Sequence, residues 1–162
     1  MSNDAEIETK FWKALKSDRT VMLGIVGIED GVGQPMTAQT EQEGRGPIYI
    51  FSAKDTDLVR QLGLTKPSTM HFVDKGHHLF ANLIGRLTAD NDRATIERLW
   101  NPFVAAWYKG GKEDPNLQLL RFDAENLQIW LNENSIFAGI RMLLGSDPKK
   151  DYADKTAQVT IP

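Results

Sequence analysis

The chain has 162 residues, 41% of them hydrophobic and 25% charged, the make-up of one globular domain with a real core rather than of a disordered or fibrous chain. A formal charge of −3 removes the general attraction to polyphosphate on which nucleic-acid binding draws, and the lack of cysteine rules out disulfides, thiolate nucleophiles and Cys-ligated metals, so electron transfer has to run through a bound cofactor. The longest apolar stretches, Val21–Ile28 and Ile136–Leu144, fall well short of the ~20 residues of a membrane-crossing helix, and Met1–Lys10 is acidic where a signal peptide is basic, so a cytoplasmic protein without a membrane partner is expected.

The chain opens on a helix: Ile7, Phe11 and Leu15, with Trp12 beside them, recur at helical spacing between Asn3 and Ser17, and Asn3 followed by Glu6 resembles a capping box. Thr20–Ile28 is rich in β formers. The Asp30-Gly31 pair after it suits a tight hairpin into a second strand around Pro35–Thr40, where Pro35 favours a strand start or an edge. Gly44-Arg45-Gly46-Pro47 is a loop. Ile48 and Ile50, alternating with Tyr49 and Phe51, form a strand that stops at Ser52. Asp55-Thr56 then caps a short helix carrying Leu58, Val59 and Leu62, brought to an end by Gly63 and Pro67. Strands follow at Thr69–Val73 and His78–Ala89, parted by Asp74-Lys75-Gly76.

From Asp92 onward Ile96, Leu99, Trp100, Phe103 and Trp107 keep helical spacing, but Pro102 has no amide hydrogen to donate, so two short helices are expected rather than one. Beyond the Gly110–Pro115 loop, Leu117–Phe122 and Leu127–Leu131 read as two strands joined by a turn containing Asp123 and Asn126. Ile136, Phe137, Ile140, Leu143 and Leu144 mark a last helix closed by Gly145, and residues 146–162 read as a polar, loosely held tail. Residues 1–145 thus form one domain in which six or seven mainly antiparallel strands fit a small barrel with helices packed outside.

Three places carry candidate chemistry. At Phe51-Ser52-Ala53-Lys54-Asp55-Thr56, a helix start, two hydroxyls and an ammonium form a receptor for a phosphate dianion, with Asp55 working against it. The same residues equally describe a surface lysine beside a capped helix. Along Gln34-Pro35-Met36-Thr37-Ala38-Gln39, unpaired edge groups can hydrogen-bond a heteroaromatic ring and Met36 can touch its face, although an ordinary edge strand has this pattern too. Trp100 and Phe103 suit core packing, whereas Trp107, at a helix exit beside Gly110-Gly111, is suited to an interface or a planar ligand. His71 stands alone in an apolar strand, and His77 and His78, as strand neighbours, face opposite ways, so no metal site is expected. No serine sits in a nucleophile elbow, and there is no Walker loop or dinucleotide fingerprint.

Taken together, Pro35-Met36-Thr37, the run Ile50-Phe51-Ser52-Ala53-Lys54-Asp55-Thr56 and Asn82-Leu83-Ile84-Gly85-Arg86-Leu87 resemble the pyridoxamine 5′-phosphate oxidase-like split barrels. Asp92-Arg93-Ala94, Leu99-Trp100-Asn101-Pro102, Ala106-Trp107-Tyr108, Gly110-Gly111, Asp114-Pro115 and Leu119-Leu120-Arg121 are similar to the general stress protein branch of that family, and the likeness runs from about Phe11 to Leu144. The resemblance implies a mainly β fold with flanking helices, a six-stranded antiparallel split β-barrel, working as a homodimer with FMN in clefts between the subunits. Pro35, Met36 and Thr37 would lie along the isoalloxazine ring, Phe51, Ser52, Ala53, Lys54 and Thr56 would hold ribityl and phosphate, and Trp107 would approach from the partner chain. Leu58 and Asn82 complete the implied cofactor set; Leu58 stands near where some relatives carry a phosphate-binding lysine, and Asn82 where relatives commonly carry serine. Gln34 replaces an arginine common before Pro-Met, which lowers the expected grip on phosphate.

The function implied is that of a flavin-binding general stress protein, oxidoreductase-like, in which the flavin is the redox centre and the protein supplies orientation. No side chain is singled out as catalytic, and no substrate is indicated. The arginine and histidine motif of true pyridoxamine phosphate oxidases is missing from the C-terminal part, so vitamin B6 oxidation is not expected. The alternatives are a protein that stores or senses flavin without turnover, and a dimerisation module whose cleft takes no cofactor.

Overall fold

The computed structural model describes residues 2–28, 32–41, 43–132, 145 and 155–162. The anticipated Asp30-Gly31 turn and the helix over Ile136–Leu144 lie outside the described residues. Helix α1 (Ser2–Ser17) starts one residue ahead of the expected cap and lays Ile7, Phe11, Trp12 and Leu15 into the core, with Phe11 edge-on to Phe72 at 6.1 Å. It is followed by β1 (Thr20–Ile25), β2 (Gln34–Thr37), β3 (Gln39–Thr40), β4 (Ile48–Ala53), α2 (Asp57–Leu62), β5 (Thr65–Val73) and β6 (Leu79–Ala89). Two short helices, α3 (Arg93–Leu99) and α4 (Pro102–Ala105), lead through a 3-10 turn at Gly111–Glu113 to β7 (Leu117–Leu131) and β8 (Thr156–Thr160).

All pairings are antiparallel, in the order β2-β1-β5-β6-β7-β4-β3, with β8 added on β7. The two ends of this path, β2 and β3, are separated by Ala38 alone, so the chain itself joins them. Counted as the arms of one bent strand, they leave six strands along this path and β8 as a seventh, one more than expected, in an antiparallel split barrel with helices at its flanks. The continuous strand expected over Pro35–Thr40 is therefore broken. Its first arm pairs with β1 and its second with β4, and at the bend the Ala38 amide leaves the ladder to donate to the Arg19 carbonyl at 2.7 Å.

Three further expectations are corrected. Leu117–Leu131 is one strand, because β6 stays paired along its whole length and takes up the irregularity as a bulge: Ile84 faces Asn126 while Gly85 faces Ala124, leaving Glu125 over. A side chain at position 85 would run into the Asp123 carbonyl, which is why glycine sits there. The other edge of β7 is shared by β4 over Leu117–Phe122 and β8 over Asn126–Trp130, so the end of the supposed loose tail is a strand carrying buried Ala157 and Val159. Pro67, expected to end α2, instead lies within β5; Gly63, with φ +62°, ends that helix.

The break at Pro102 appears as predicted. Asn101 caps α4 by accepting from the amides of Phe103 and Val104 at 3.0 and 3.1 Å, and proline takes a first-turn place where no amide is required. Strand β4 is covered on both faces. Ile48 and Ile50 enter the main core, while Tyr49 joins Ile96, Val104, Tyr108, Leu117 and Leu119 in a second cluster beneath α3 and α4.

Candidate functional site

The bend at Ala38 makes the site. Because β2 remains with β1 while β3 follows β4 only as far as Tyr49, no ladder forms between Pro35–Thr37 and the end of β4. The opening is a cleft of about 670 Å³, a volume suited to a cofactor-sized molecule. One wall is Pro35, Met36 and Thr37; another is Phe51, Ser52 and Ala53 with Thr56; a third is Phe103, Val104, Trp107 and Tyr108 from α4 and its exit; Arg19, Thr20, Gln39 and Asn101 complete the lining.

Most polar backbone groups at the Ser52–Thr56 corner already have partners. Lys54 N–H donates to the Asn116 carbonyl (2.8 Å), Asp55 N–H to Asn116 Oδ1 (3.2 Å) and Thr56 N–H to the Ala53 carbonyl (3.1 Å). Thr56 Oγ1 donates to the Ala53 carbonyl at 2.8 Å and accepts from Val59 N–H at 3.3 Å, so it caps α2. These groups are thus not available as the phosphate-binding amides the sequence pattern pointed to. Ser52 differs: the residue lines the cleft, is only 7% exposed, and its hydroxyl has no hydrogen-bond partner among the described residues. A buried hydroxyl left unpaired costs stability unless something else completes it.

The aromatic wall has a wet side and a dry side. Phe103 and Trp107 are each 85% exposed, so the expectation of a core role for Phe103 is corrected: the short α4 buries only Val104 and turns Phe103 outward. Trp100 packs edge-on against Phe51 (5.9 Å) and tilted against Tyr108 (6.0 Å). The Tyr108 hydroxyl donates to the Ser52 carbonyl at 2.7 Å, and burial, with the charge of Asp114 adding to it, pushes the phenol up to about 12. Tyr108 is therefore a neutral donor at ordinary pH. Asp114 is itself held below the usual carboxylate range by the amides of Gly110 and Asn116.

Eight of the eleven predicted cofactor residues meet on this cleft: Pro35, Met36, Thr37, Phe51, Ser52, Ala53, Thr56 and Trp107. Lys54 is exposed just outside the lining and has no ion pair among the described residues. Leu58 is 4% exposed within the main core, so it cannot touch a ligand in the cleft. Asn82 is on another face of the barrel, where its Oδ1 lies 2.7 Å from His71 Nδ1 in a separate hollow with Phe80 and Trp130. His77 and His78 belong to the turn closed by Asp74 rather than to a strand, and among the described residues no group of acids and histidines could hold a metal.

Sequence reasoning missed Arg19, Thr20, Asn101 and Val104 as cleft residues and gave Tyr108 no contact. Arg19 is the one formally charged residue on the cleft wall and has no ion pair among the described residues. Only Asn101 had a usable local signal, since a capping residue before proline marks a helix start.

A family model described as pyridoxamine 5′-phosphate oxidase like matches residues 6–152. The chain is 57% identical to the general stress FMN/FAD binding protein of Xanthomonas citri, with 82% of this chain and 93% of that one covered and a TM-score of 0.77. A protein of Xanthomonas campestris pv. campestris described as of the general stress family is 55% identical over 84% of this chain and 94% of its own, with a TM-score of 0.79. One from Jannaschia sp. CCS1, described as a general stress protein 26, is 30% identical over 98% and 99%, with a TM-score of 0.77. No curated protein matches the chain. With a bent-strand barrel, a cleft at its split and a family match over nearly the whole length, the chain belongs to the pyridoxamine 5′-phosphate oxidase-like family, in its general stress protein branch.

Proposed function

We propose that this protein is a cytoplasmic, homodimeric flavoprotein that binds FMN in the cleft between β2 and β4 and acts as an oxidoreductase. The observation that carries the reading is the cleft at the barrel split, with its open strand edge, apolar side chains and a Ser52 hydroxyl that has no partner among the described residues. The description of the Xanthomonas citri relative as an FMN/FAD binding protein supports a flavin as the occupant. The exposed Lys54 ammonium beside the cleft supports FMN, whose terminal phosphate it can pair with, as the flavin in this reading.

In this reading the free edge of β2 hydrogen-bonds the ring system, while Met36 and Phe51 pack against it. Ser52 completes its hydrogen bonding on the ribityl-phosphate arm. Lys54 swings in from the rim toward the phosphate. Phe103 and Trp107, too exposed to be useful to a single chain, meet the second copy and screen the ring from water. Asn82 reaches a cofactor only if the partner brings it there. A bound flavin supplies the redox chemistry; the chain supplies orientation and partial exclusion of solvent.

The test is the absorption spectrum of protein purified without added cofactor, with mass identification of whatever heating releases. A yellow protein releasing FMN is expected; a colourless one that ignores added FMN would sink the reading. Bleaching by NAD(P)H and reoxidation by an acceptor then distinguish an oxidoreductase from a protein that only stores or senses flavin.

A further inference from the structure

Tyr108 is the buried polar side chain of the cleft for which a binding role has not yet been given. It comes from the exit of α4, packs with Tyr49, Leu117 and Leu119 behind β4, and donates its hydroxyl to Ser52, 56 residues away in the chain. Nearby contacts run the same way, since Trp100 bridges Tyr108 and Phe51. One hydroxyl therefore ties the wall bearing Trp107 to the wall bearing Ser52. The bond is maintained across the working pH range, because the phenol keeps its proton up to about 12.

We propose that Tyr108 is the positioning residue of this cleft: by holding the Ser52 carbonyl it fixes the place from which the Ser52 hydroxyl meets the ligand. This rests on the flavin reading above. Tyr108 does not itself carry out chemistry. Its single O–H donor is taken by the Ser52 carbonyl, so it acts on affinity through that residue, and its effect should vanish when the serine hydroxyl is absent.

The experiment is a double-mutant cycle with Tyr108→Phe, Ser52→Ala and the double variant, each titrated with FMN by fluorescence quenching and melted thermally. Tyr108→Phe keeps the ring packing and removes one neutral hydrogen bond, so FMN affinity should fall roughly three- to tenfold. Ser52→Ala should fall comparably, and the double variant should bind no more weakly than the worse single one. Losses that multiply, or an unchanged affinity in Tyr108→Phe, overturn the proposal while leaving wild-type binding intact. A lower melting temperature with unchanged affinity also overturns it, by assigning the bond to stability alone. If the wild-type protein fails to bind FMN, the flavin reading fails first and takes this role with it.

Discussion

Two cations stand near the cleft without ion pairs among the described residues, and they predict different outcomes. Lys54 adjoins the Ser52–Thr56 corner. Arg19 lies by the bend, where its carbonyl holds Ala38, and the corner begins three residues beyond Tyr49, about 10 Å further along β4 at the rise of a strand. Lys54→Ala is expected to weaken FMN about tenfold and leave riboflavin unchanged, since a charge-assisted bond to the phosphate is lost. Arg19→Gln should leave the ratio of the two affinities as in the wild type. Equal losses of both ligands in Lys54→Ala would remove it as the phosphate partner. Far from the cleft, Glu8 accepts from Arg45 at 2.7 and 3.0 Å and from the Trp12 indole at 3.1 Å, and the Arg45 hydrogen bonds hold its carboxyl below the usual 4.5. A lowered folded pKa stabilises fully above 4.5 and is lost as the pH falls through the folded value. Melting curves from about pH 7 to about pH 3 should show less acid dependence in Glu8→Gln than in the wild type; parallel curves would contradict this.

Among the elements, the stretch from α3 to α4 was readable because its signals are local. Pro102 cannot donate, Asp92 accepts from Thr95 N–H at 3.0 Å, and Asn101 caps the next turn, all within a few residues. Asn101→Ala should lower stability by about 1 kcal/mol and disturb the wall bearing Phe103 and Trp107, to be read from chemical denaturation together with FMN affinity. The long β7 was not readable. Asp123 and Asn126 carry the composition of a turn, but β6 is paired opposite them and the spare residue is taken into a bulge. Gly85→Ala tests that account: with the Asp123 carbonyl and the Ala124 Cα in its path, at 2.9 Å for the latter, an added methyl should lower the melting temperature clearly. An unaltered melting temperature would mean that the bulge relaxes freely.

For the molecule as a whole, the expected homodimer makes its own prediction. Two large aromatics at 85% exposure on one cleft wall are costly in a lone chain, and a second copy that covers them would complete the site. Light scattering should give twice the monomer mass, and Trp107→Ala should loosen both assembly and FMN; unchanged mass and affinity would reject that role. The residues alone were enough for the family and for the barrel, because alternating strands, the Pro102 break and the run from Asp92 to Arg121 are carried by short-range pattern. They were enough, too, to name eight residues that meet on one cleft. They were not enough to tell Lys54, Leu58 and Asn82 apart from those eight. Leu58 is a core residue because α2 lies down on the barrel, Asn82 is away from the cleft because β1 and β5 part β6 from β2 and β7 parts it from β4, and Lys54 falls just beyond the last rung of β4. Each of those outcomes depends on which face of an element is covered by residues distant in the chain, and local pattern has no access to that. The same holds for the strand at Thr156–Thr160 and for the bond from Tyr108 to Ser52, both of which exist only once the barrel has brought their partners together.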